Sequence, residues 1–260
     1  MPSDTAAQSP AGAPDPRQLR RVPMFYHQPA VLEPNRHGAY RFKPLANVAF
    51  AKPTNCVPIM AGEFGLAQRD YPIVFTKGEQ PAPVIVVGLG NQDNLFVDAA
   101  GRWRDGTYVP SYVRRYPFIF IQLPAAGKFA LCIDEASGCL SLNEGQNLFE
   151  ANQPTQLVQN AVRFCGEFQQ EFERTQQFFA ALQQQGLLVE RSMKLKNPAG
   201  QDVALDGFQT IDEVKFNALP DQVILEWRQR GWLGLVYAQF MSSASWRDLG
   251  ALKATAHSVA

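Results

Sequence analysis

A chain of 260 residues with 46% hydrophobic and 18% charged positions has an ordinary globular composition and is long enough to bury a sizeable core. Its 24 basic residues equal its 24 acidic ones, which excludes the global positive field that nucleic-acid or anionic-lipid binding draws on. No run of about 18 apolar residues occurs, so no membrane-spanning helix is expected.

Residues 1–22 (MPSDTAAQSPAGAPDPRQLRRV) are rich in proline and small polar residues and contain no apolar export segment, so a disordered leader is expected. The expected compartment is the cytoplasm, with the cell surface, reached without a classical signal peptide, as the alternative. Tyr40–Phe50 alternates like an edge strand interrupted at Pro44. Ala61–Arg69 suits one or two helical turns, and Tyr71–Thr76 suits a strand. Pro83–Leu89 is apolar and β-branched, the pattern of a buried strand, and Asn94–Asp98 reads as its return.

Thr107–Pro124 (TYVPSYVRRYPFIFIQLP) starts as a polar-aromatic turn and becomes an apolar strand. Beyond it, Phe129–Ile133 and Gly138–Leu142 are expected to pair across Asp134–Ser137. From Gln156 to Gln185, apolar residues recur at three-and-four spacing, which predicts a long amphipathic helix ended by Gly186. Its phenylalanine row (Phe164, Phe168, Phe172, Phe179) is read as a core seam, with Phe178 as the exposed aromatic.

Leu187–Lys196 and Gln201–Leu205 read as a hairpin turning at Asn197–Gly200. Helices follow over Asp212–Ala218 and from Pro220 to Gly231. Trp232–Phe240 reads as a buried strand, and Ser245 with Asp248 as a capping box opening a short helix. The fold class expected is α+β: an antiparallel β-rich half at 23–150, then a helix-containing half at 151–249. The two form one domain, with 250–260 as a frayed tail.

Gly88-Leu89-Gly90 lacks the third glycine and the following helix of a dinucleotide site, so a turn is the better reading. His27 and His37, with Glu33 between them, do not share one face of a regular element, and no metal site is expected. His257 lies in the expected tail. No G-x-S-x-G elbow occurs, and no cofactor is called for. Cys132 and Cys139 are read as thiols, although a cross-strand bridge under oxidising conditions stays open.

The best ligand-binding candidate is the arginine-aromatic cluster. Arg114 and Arg115, beside Trp103, Tyr108, Tyr112 and Tyr116, and with Arg102 and Arg104 upstream, could stack on rings or grip a carboxylate or phosphate. The plainer reading is that Arg114 and Arg115 pair with acids such as Asp98, Asp105 or Glu63 while the rings pack.

The ordered series EFGLAQRDYPIVF (Glu63–Phe75), VVGLGNQDNLFVDAAGRW (Val86–Trp103) and TYVPSYVRRYPF (Thr107–Phe118) resembles the SapC family of bacterial proteins. LDGFQTIDEVKFNALP (Leu205–Pro220) and GWLGLVYAQFMS (Gly231–Ser242) fit the same family, so the resemblance runs from about Pro23 to Leu249. It implies a link to a surface-array locus, and members that accompany outer-membrane receptors, halogenases and cupin-like oxygenases imply an accessory role in uptake or modification. The expectation is therefore a non-enzymatic accessory or binding protein that recognises an anionic or aromatic group on a peptide, protein or small molecule, with no nucleic acid and with self-association open. The alternatives are a surface-layer component and an enzyme built around Glu63, Asp70 and Arg115.

Overall fold

The three-and-four spacing after Thr155 becomes one α-helix, Gln156–Gln184, and the strands around it in sequence are all antiparallel. A computed structural model of the chain describes residues 22–78, 81–90, 93–123, 128–196 and 202–258. Residues 1–21 of the expected leader and the expected turn at 197–200 lie outside those residues. The architecture is α+β, and among the described residues no helix is long and apolar enough to cross a membrane. Two contact units are each discontinuous in sequence: the described residues up to Pro44 with Tyr116–Cys165, and Leu45–Arg115 with the residues from Gly166 onward.

In the first unit, the strand Phe129–Asp134 lies between Pro29–Val31 and Phe118–Gln122. Strand alternation divides the apolar residues between two faces. Phe118 packs with Ile133, Leu148, Val158 and Cys165, while Ile119 packs with Tyr26 and Cys132. Phe129–Ile133 does not pair with Gly138–Leu142 as expected. Asp134 is fully buried and accepts the main-chain N–H groups of His27, Gln28 and Ala136, so the chain turns away there. Leu140–Ser141 pairs with Arg41–Phe42 instead, and Arg41–Phe42 is all that forms of the Tyr40–Phe50 strand. Cys132 and Cys139 are thiols.

The second unit centres on a five-stranded sheet ordered Leu188–Lys196, Asp202–Ile211, Ile73–Thr76, Pro83–Val86 and Cys56–Pro58. The late hairpin therefore extends the early strands through the Phe208–Thr76 and Gln209–Phe75 pairs. Asn94–Asp98 forms no strand. The Lys52 ammonium binds the carbonyls of Asn94 and Val97 (3.0 and 2.6 Å), and only the Val97–Trp103 bridge remains of a ladder. Gly88 permits this return: a Cβ there would overlap the Asp93 carbonyl.

Trp232–Met241 is a helix rather than the expected strand. Nine apolar-rich residues fit either period, and burial decides between them. Val236 and Gln239 face inward, and Gln239 donates its amide N–H to the Ile73 carbonyl (3.2 Å), while Ser242 Oγ accepts from Ile73 N–H (3.0 Å). The helix and the turn that follows it thereby satisfy both backbone groups of Ile73. Phe178 is completely buried, contrary to expectation, and touches Phe64, Trp227 and Trp232 at centroid distances of 6.2, 6.2 and 6.0 Å. Phe172, placed in the seam by its spacing, is exposed. The terminal helix Ser245–Ser258 begins at Ser245, but that hydroxyl donates to the Gln68 carbonyl (3.1 Å) rather than serving a capping box.

Candidate functional site

The segment after Trp103 is held by three neighbours from the residues 63–71. Glu63, buried near the end of the helical turn Ala61–Glu63, takes four donors. They are Met60 N–H at 2.8 Å, Tyr108 hydroxyl at 2.7 Å, Ser111 N–H at 2.7 Å and Ser111 Oγ at 2.8 Å. Asp70 accepts Tyr108 N–H at 2.8 Å, and the Tyr71 hydroxyl donates to the Tyr108 carbonyl at 2.5 Å. Trp103 Nε1–H donates to that same Tyr71 oxygen at 3.0 Å. Burial pushes the Tyr71 phenol upward, and burial with the neighbouring Glu63 charge pushes Tyr108 up to about 12.

These bonds decide what the expected cluster can present. Trp103 and Tyr112 are buried, so their rings serve packing. The Arg115 guanidinium lies 4.1 Å from the Tyr112 ring centroid and 4.2 Å from that of Phe168, a cation–π sandwich. Arg114 is exposed, with Nε donating to the Val109 carbonyl (3.0 Å) and Nη2 to the Tyr108 hydroxyl (3.2 Å). Tyr116 belongs to the other unit, where its hydroxyl donates to Asp134 at 2.9 Å. The structure thus joins Trp103, Tyr108, Tyr112, Arg114 and Arg115 in one unit and leaves Tyr116 out. Of the acids expected to pair with the arginines, Asp98 holds Arg102 (2.9 Å) and Glu63 holds Tyr108 and Ser111.

A concave site lies elsewhere in the second unit, and sequence reasoning missed it. A cleft of about 360 Å³ is walled by Gly62, by Glu171 and Arg174 of the long helix, and by Arg230, Trp232 and Leu235. Several bonds build these walls. Ala61 N–H donates to Thr175 Oγ1 (2.8 Å), which fixes the Gly62 wall against the helix. Gly231, left-handed at φ 73°, separates the helix Asp221–Gln229 from Trp232–Met241. The Trp232 indole is braced by Trp227 at 5.8 Å and carries the Arg230 guanidinium at 4.8 Å. Arg230 Nε meets Glu226 Oε1 at 3.0 Å, and Arg174 Nη1 meets Glu171 Oε1 at 2.7 Å.

Each of those pairs uses one donor of a five-donor guanidinium, and both arginines are well exposed. The cleft therefore offers two cationic forks beside a rigid indole, an arrangement suited to holding an oxyanion attached to an apolar body. The one signal in the sequence was the Arg230-Gly231-Trp232 triplet, where a glycine break sets an arginine beside a ring.

His27 is exposed, and its main-chain N–H serves Asp134. His37 is buried, and its ring meets Glu135 at 3.2 Å. Among the described residues, no group of three or more His, Cys, Asp or Glu side chains could hold a metal ion.

The family model described as SapC matches residues 32–249. Neither the curated proteins nor the solved structures contain a match to the chain.

Proposed function

The chain belongs to the SapC family, and we propose that it is a non-enzymatic binding protein that recognises an anionic group on a small molecule or peptide through the Arg174–Arg230–Trp232 cleft. The observation that carries this reading is the convergence of two guanidinium groups and an indole on one cavity of about 360 Å³. A binding role is favoured over catalysis because the carboxylates with catalytic potential are occupied. Both oxygens of Glu63 take protein donors, and Asp70 holds Arg69 and Tyr108.

The test is calorimetric titration of the wild type and of the double variant Arg174→Ala/Arg230→Ala with benzoate, phenylacetate and phenyl phosphate. Saturable binding of at least one anion, weakened about 10-fold or more in a double variant that keeps its circular dichroism spectrum, is the expected result, since each charge-assisted hydrogen bond contributes roughly 1.5–3 kcal/mol. Equal affinity in the folded double variant, or no saturable binding of any of the three by the wild type, contradicts it.

A further inference from the structure

The ligand class follows from charge and shape at this same cleft, and it rests on the anion-binding reading above. We infer that the cleft selects a monocarboxylate with an apolar or aromatic body, and that Glu171 and Glu226 are the residues that set this selectivity. Arg174 and Arg230 carry two positive charges, and each is met by one glutamate, so the arginine-glutamate set is neutral. A phosphate dianion would bring about two negative charges to a neutral set, against the Glu171 carboxylate of the wall and the Glu226 carboxylate that pairs with Arg230. A monocarboxylate brings half that charge, and its planar fork matches the guanidinium edge that the single-point pairs leave open.

The glutamates do not block the site. Glu226 and Arg230 side chains are 53% and 50% exposed and meet at Nε alone, so the pair leaves the rest of the Arg230 guanidinium open to an incoming carboxylate. Beside the charges, Trp232 and Leu235 supply an apolar wall. The indole is held in place by Trp227 and Phe178, so it is a fixed platform rather than a mobile side chain.

Gly62 sets the other wall. A Cβ at that position would stand 2.7 Å from Glu171 Oε2, so the Glu171 carboxylate lies close against this turn while it holds Arg174. The cleft of about 360 Å³ falls within the range of small-ligand sites, about 300–1,000 Å³, which is room for a body the size of an acylated amino acid.

The experiment compares N-acetylphenylalanine, its amide, phenyl phosphate and a hexapeptide ending in phenylalanine, titrated calorimetrically into the full chain and into Glu226→Gln. The expected result is saturable binding of N-acetylphenylalanine, at least 10-fold weaker binding of its amide, no tighter binding of phenyl phosphate, and a several-fold gain for the acid in Glu226→Gln. Hexapeptide binding at equal strength assigns the carboxylate to a peptide terminus, and its failure beside a binding acid assigns it to a free small molecule. Each of these supports the inference. Phenyl phosphate binding 10-fold tighter than the acid overturns the carboxylate assignment while leaving anion recognition standing. Equal binding of acid and amide overturns it as well. If none of the four binds, both this inference and the anion reading fall.

Discussion

Replacing Glu63 with glutamine tests whether the segment around Tyr108 and Ser111 is held by a buried carboxylate. In the wild type, Oε1 accepts from the Tyr108 hydroxyl and Ser111 N–H, and Oε2 from Met60 N–H and Ser111 Oγ. Glutamine has one acceptor oxygen and one NH₂. If the NH₂ takes the Oε1 place, it confronts Ser111 N–H; if it takes the Oε2 place, it confronts Met60 N–H. The hydroxyls can rotate to accept, but a backbone N–H cannot, so either orientation strands one main-chain donor. That costs about 1–3 kcal/mol, and the remaining bonds lose their charge assistance, for a total of about 3 kcal/mol.

In a chain of this size, about 3 kcal/mol lowers the Tm by roughly 6–12 °C. Thermal unfolding followed by circular dichroism, with a urea titration as a check, measures the effect. A glutamine variant within about 0.5 kcal/mol of wild type would refute the reasoning, because that is the range of a surface substitution with no buried partner.

Three further outcomes follow from the same geometry. Tyr71→Phe removes the donor to the Tyr108 carbonyl and the acceptor of Trp103 Nε1–H; a loss of about 2–3 kcal/mol is expected in urea unfolding, and a loss below about 0.5 kcal/mol would contradict it. Tyr71, Tyr108 and Tyr116 all hold their protons more tightly than free tyrosine, chiefly through burial. Unfolded tyrosines ionise near pH 10, so the unfolded state binds fewer protons above that pH and stability falls as pH rises through it. Absorbance at 295 nm should show at least three of the seven tyrosines titrating late or only on unfolding, and seven titrating near pH 10 with intact circular dichroism would contradict it. Gly88→Ala should fail to accumulate as folded protein, because the added methyl overlaps the Asp93 carbonyl; a variant with wild-type Tm would refute that clash.

What was legible in the sequence was local. The helix Gln156–Gln184, the strand Pro83–Val86 and the antiparallel sense of the sheets follow from period, β-branching and short connections. What was not legible depended on distant partners. Trp232–Met241 is helical because Gln239 and Ser242 reach Ile73, more than 160 positions earlier. Phe178 lies inside because Trp227 and Trp232 return to cover it.

The candidate site shows the same division. Thr107–Pro124 advertised its rings and arginines, but at Tyr108 and Ser111 its polar groups are held by Glu63, Asp70 and Tyr71. The proposed cleft uses the residue types of the expected cluster, arginine beside an aromatic ring, at positions that the sequence reading did not single out. Arg174 sits on the long helix and Arg230 caps the C-terminal end of Asp221–Gln229, and only the tertiary fold brings them to one cleft with Trp232.

The most direct measurement is nuclear magnetic resonance of the arginine Nε–Hε groups while N-acetylphenylalanine is added, with Arg174, Arg230, Arg114 and Arg115 assigned by single substitution. Saturable shifts at Arg174 and Arg230, with Arg114 and Arg115 unmoved, are the result this account predicts. Shifts confined to Arg114 and Arg115 would contradict it and return the binding site to the aromatic stretch that follows Trp103.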